Sequence, residues 1–128
     1  MKGEQFIAEV RNLAELDRTE DAEKAIRATL ETLKERLAGK EPSNLAAQLP
    51  PEVAVFVEGD GGREAFSVQE FYERVAEKEG TNSEEALKHA RAVATVLQTA
   101  VTGGELEDVR SQLGNDYGEL FGKSGSSA

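Results

Sequence analysis

The chain has 128 residues, no cysteine and a net charge of -10. This length suits one compact domain, and the missing cysteines exclude disulfides, thiolate metal sites and cysteine nucleophiles. The charge is spread evenly, with 14 acids and 9 bases in residues 1–64 against 11 and 6 in residues 65–128. Nucleic acid and anionic membranes are therefore excluded as expected partners, and no apolar run approaches the roughly 20 residues of a membrane span. A cytoplasmic location is the expectation.

The first predicted helix runs from about Glu4 to Leu16, because Phe6, Val10 and Leu13 share one face. Asp17 or Thr19 is expected to cap the next, whose first turn holds Glu20, Asp21 and Glu23. Along it Ala22, Ala25, Ile26, Thr29, Leu30, Leu33 and Leu37 form a buried stripe, with Lys24, Glu31, Lys34 and Glu35 facing out. Gly39 reads as its stop, and Pro42 opens a short helix bearing Leu45 and Leu49. Pro50-Pro51 ends that helix, and Val53, Phe56 and Val57 close the first half.

Residues 58–65, with three glycines and little to bury, read as a flexible linker. Ser67-Val-Gln-Glu70 is then a capping box that starts a helix carrying Phe71 and Val75.

The order of elements has begun again. Shifting by 64 positions aligns Glu20 with Glu84, Ala22 with Ala86, Arg27 with Arg91, Leu33 with Leu97, Gly39 with Gly103, Glu41 with Glu105 and Gln48-Leu49 with Gln112-Leu113. In all, ten of the 31 positions from Thr19 to Leu49 are identical, and the preceding helix matches with one extra residue of offset, Phe6 to Phe71 and Val10 to Val75. The expected fold is thus all-α, a tandem duplication of a helical unit (helix, long helix, short helix, terminal turn) packed as one pseudo-two-fold bundle. Its parts are repeat 1 at about 4–57, the linker at 58–65, repeat 2 at about 66–121 and a disordered tail at 122–128. A unit this small rarely folds alone, so the two are expected to pack through their alanine-rich longer helices.

These features, a Phe-x-x-x-Val helix, an acidic cap, an Ala-rich helix with Arg27 or Arg91, Gly-x-Glu and x-x-Gln-Leu, resemble a bacterial family catalogued as domain of unknown function 2267. The resemblance covers nearly all of Gln5–Phe121. It implies a small, helical, cytosolic bacterial protein and brings no activity or functional residue. The family's Leu-Pro after the glutamine is kept at Leu49-Pro50 and departs at Leu113-Gly114, which predicts a looser last turn in the second unit.

No catalytic residue, cofactor or metal site is expected. His89, the single histidine, aligns with Ala25 and reads as a packing or partly exposed residue. Calcium at the linker fails because an EF-hand register ending at Glu70 would put Gly59, Gly61 and Arg63 at ligand positions. Glu105, Glu107 and Asp108 concentrate acid at a helix start, where the dipole explains them. Candidate ligand-binding positions are the duplicated pairs Arg27, Arg91 and Gln48, Gln112. Their plainer roles are ion pairs to an acid of the other repeat, such as Glu20 or Glu84, and satisfaction of helix-end backbone groups. The expected function is a non-enzymatic protein-interaction or regulatory module, binding a protein or a second copy of itself. The alternative is a small-molecule or cation sensor using the groove between the repeats.

Overall fold

The structure is a computed structural model and describes residues 1–122. The chain order is α1 (Gly3–Leu13), α2 (Thr19–Arg36), α3 (Glu41–Ala46), α4 (Pro51–Ala54), α5 (Val68–Glu79), α6 (Ser83–Ala100), α7 (Gly103–Ser111) and a 3-10 helix (Asn115–Glu119). There is no strand among the described residues. Of the expected tail, residues 123–128 lie outside them.

The helices α1, α2, α5 and α6 form a bundle because each carries apolar residues at helical spacing on one face. Phe6, Val10, Leu30, Phe71, Val75 and Val93 are wholly buried there, each fully buried side chain contributing about 1.5–3 kcal/mol of transfer free energy. The two long helices α2 and α6 touch directly, and contacts between the halves come in matched pairs: α5 lies on α2, and α1 lies on α6. Ala22, Ala25, Ala86 and Ala90 have no exposed surface, and their small side chains allow the close approach of these helices. Outside the bundle, α3 packs on α7 and α4 on α1.

Helix ends depart from the sequence reading in three places. The first helix stops at Leu13, because Glu15 turns left-handed at φ 57° while Leu16 N–H donates to Arg11 O and Glu15 N–H to Asn12 O. This Schellman-type stop recurs 65 residues on, where Gly80 takes φ 74° and Thr81 N–H donates to Ala76 O. Neither Asp17 nor Thr19 caps α2; Arg18 holds the N-cap position with no side-chain bond, whereas Asn82, at the matching place before α6, accepts from Glu85 N–H at 2.9 Å. Gly39 does not stop α2, which ends at Arg36 with Leu37 extended; at φ 60° the glycine instead makes the turn into α3. In the second half Gly103 is the first residue of α7, capped by Thr102.

The expected flexible linker is fastened down. Gly61, Gly62, Arg63 and Glu64 donate their main-chain N–H groups to the carbonyls of Gly39, Lys34, Leu37 and Glu35, at 2.9 to 3.0 Å. These carbonyls lie at or just beyond the C-terminus of α2, where the helix leaves acceptors without intrahelical partners. The glycines are needed for the approach: a Cβ on Gly62 would come within 2.7 Å of Glu35 O, and one on Gly61 would overlap Leu37 O. Ser67 Oγ then accepts from Glu70 N–H at 3.1 Å and starts α5.

Candidate functional site

Of the polar pairs that match at 64-residue spacing, the glutamines Gln48 and Gln112 lie beside the contact of α3 with α7. Gln48 Oε1 accepts from Thr102 N–H and Gln112 Oε1 from Ala38 N–H, both at 2.8 Å. Each glutamine thus satisfies a donor just past the long helix of the other half, and the two acceptors and the two donors are each 64 positions apart. This is the backbone-satisfying role expected of Gln48 and Gln112.

Between these bonds stand Glu41, in the first turn of α3, and Glu105, in the first turn of α7. They are only 9% and 8% exposed, and the Oε2 of each is shut off from solvent without a hydrogen-bond partner. Asp108, one turn along α7 and exposed, completes a group whose carboxylate oxygens lie within 4.8 Å of one another. No lysine or arginine forms an ion pair with any of the three among the described residues. Burial above all, then the facing Glu41 carboxylate and Asp108, pushes the Glu105 carboxyl up to about 8 from its ordinary 4.5. The helix dipole favours acids at these positions, but it does not account for burying two of them face to face.

The arginines are placed differently from each other. Arg27 pairs with Glu31 on its own helix at 3.3 Å and stays largely exposed, while Arg91 donates to Glu119 O at 3.1 Å. Neither reaches an acid of the other half through these bonds, because each is held by a group of its own half. Arg27 lines a groove of about 480 Å³ between α1, α2 and α4, with a floor of Ile7, Ile26, Val53 and Phe56. At the sequence positions of the second half that match this lining, the side chains are buried. Tyr72, 65 positions after Ile7, is buried with its hydroxyl donating to Glu119 Oε2 at 3.0 Å. Leu120, 64 positions after Phe56, is also buried, and Arg91 holds the adjoining carbonyl.

His89 is buried, with Nδ1 2.7 Å from Glu79 Oε1, so it ties α6 to the end of α5. Two further arginines escaped the sequence reading because neither is matched in the other half. Arg36 donates to Phe66 O and Gln112 O at 3.1 and 3.0 Å and lies over the Tyr117 ring. Arg74 lies 3.9 Å over Phe66 and gathers Glu35, Glu64 and Glu70 at 2.7 to 3.0 Å. Both join the halves, and only their proximity to acids and aromatics in space reveals it.

The fold and these contacts define an acidic helical bundle whose halves exchange equivalent polar contacts around a buried carboxylate pair. Over residues 3–120 the chain matches the family described as uncharacterized conserved protein (DUF2267), and it belongs to that family. A search of the curated proteins finds no match. No helix among the described residues is long and apolar enough to cross a membrane.

Proposed function

We propose that the chain is a non-enzymatic interaction module whose binding face is the groove between α1, α2 and α4. One observation carries this: Ile7 and Phe56 line an open groove, whereas Tyr72 and Leu120, which match them in the second half of the sequence, are buried. The second half indicates what fits. There the Tyr72 ring is buried, and the Glu119 carbonyl accepts from Arg91. The partner is accordingly a segment of another protein, acting in the cytoplasm, that inserts an aromatic side chain over Ile7 and Phe56 and presents a carbonyl or carboxylate to Arg27. Val55, beside the groove and 58% exposed, extends the apolar surface such a segment would cover.

The test is a photo-crosslinking side chain at position 56, with the exposed Lys88 on the other half as the control position, followed by identification of the joined peptide. An adduct with an aromatic-bearing segment is expected from position 56 alone, and Ile7→Tyr, which brings to the groove the ring that Tyr72 carries at the matching position, should abolish it. Equal adducts from both positions, or adducts unchanged by Ile7→Tyr, would overturn the assignment.

A further inference from the structure

The carboxylates between α3 and α7 are a separate matter from the groove, and they stand on two observations. First, three oxygen donors from three side chains converge within 4.8 Å. Second, two of those side chains are more than nine-tenths buried, each with an Oε2 atom that has neither solvent nor a hydrogen-bond partner. Two carboxyl groups buried face to face without a basic partner can both be accommodated only by sharing a proton or by taking up a cation, and the cation would displace that proton. Among the described residues no lysine or arginine pairs with them.

The cation can be specified. All three donors are carboxylate oxygens, which suits a hard cation and not zinc, whose protein sites favour nitrogen and sulfur. Calcium takes several carboxylates in a flexible shell, whereas magnesium is usually held through one or two carboxylates and keeps most of its water. Separations all within 4.8 Å are short enough for one ion to be shared by the three side chains. Asp108 is exposed, so the group opens to solvent on that side and leaves room for water ligands.

We propose that Glu41, Glu105 and Asp108 hold one hard divalent cation, calcium being the best match to three carboxylate donors, with water completing its coordination. Glu41 belongs to the first half and the other two to the second, so the ion joins the halves beside the exchanged Gln48 and Gln112 bonds. Its binding is therefore coupled to the docking of α3 on α7, and calcium stabilises the folded chain by mass action.

The test uses the full chain freed of metal by a chelator and titrated with the chlorides of calcium, magnesium and manganese, with calorimetry and thermal unfolding read in parallel. One calcium per chain is expected, with an unfolding midpoint that rises with free calcium. Glu105→Gln should lose both signals, Asp108→Asn should weaken binding at least about tenfold through loss of a charged ligand, and Glu107→Gln should leave binding unchanged. Should Glu105→Gln fail to show its helices by circular dichroism, Glu41→Gln supplies the same test from the other half. Absence of binding heat and of any midpoint change with all three cations up to about 10 mM, above the range of even weak calcium modules, would overturn the site. So would equal binding by the wild type and either glutamine variant, which would put the ion elsewhere on this acidic surface.

Discussion

Gln112 Oε1 lies 2.8 Å from the main-chain nitrogen of Ala38, a donor that the extended residue Leu37 turns away from α2. Gln48 makes the same bond to Thr102, but in a more exposed setting. Gln112→Ala should lower stability by about 1–2 kcal/mol, since a part-buried N–H loses its acceptor, and Gln48→Ala by less than that. Urea unfolding of both variants measures the difference. Equal losses would show that burial does not set the value of this exchange.

The helix stops and caps of the first half are the poorer versions. Glu15 adopts the left-handed conformation that Gly80 supplies in the second half, and Arg18 stands where Asn82 caps α6. Glu15→Gly should stabilise by about 0.5–1 kcal/mol and Arg18→Asn by about 1 kcal/mol. The two sites serve different helix ends, so the double variant should show close to the sum in thermal unfolding.

Glu105 gives stability a pH dependence whose sign follows from its raised pKa. The folded chain holds this proton up to about pH 8, whereas the unfolded chain releases it near 4.5. The contribution is complete below about 4.5 and falls away as the pH rises through 8, because over that interval the folded state binds more protons. In metal-free buffer Glu105→Gln should flatten this decline and be the more stable protein above pH 8. Denaturant midpoints measured from pH 5 to 9 give the answer, and a slope unchanged by the substitution would contradict it.

The glycines separate sharply. Gly61→Ala or Gly62→Ala should cost several kcal/mol or release the segment from α2, as the added methyl meets main-chain carbonyls. Gly104→Ala in α7 faces open space and should instead gain up to about 1 kcal/mol. Circular dichroism with chemical unfolding distinguishes the two classes.

The helices were legible because apolar spacing is local: Ala22, Ala25, Ile26, Leu30 and Leu33 on α2 and Phe71 with Val75 on α5 are all buried as their periodicity requires. The carboxylate site was only half legible. Glu41 and Glu105 could be seen to correspond, but a helix start explains an acid equally well, and only the packing of α3 on α7 shows that the two face each other. Requiring a feature in both halves also hid Arg36 and Arg74, whose partners lie 30 or more residues away in several cases. The open groove was hidden for a related reason. Ile7 and Tyr72 are both acceptable on an apolar face, and their difference in size matters only once the cavity around them exists.

The fastening of residues 61–64 along the end of α2 bears on how the molecule can associate. A glycine-rich stretch midway along a chain of two similar halves is where a hinge would form, letting each half leave its own molecule and dock on another. Here the stretch is spoken for: opening it breaks four main-chain bonds and uncovers the end of a buried helix. Exchange of halves between molecules is thereby discouraged at the one place where the composition invites it, and each chain is held to its own closed pairing.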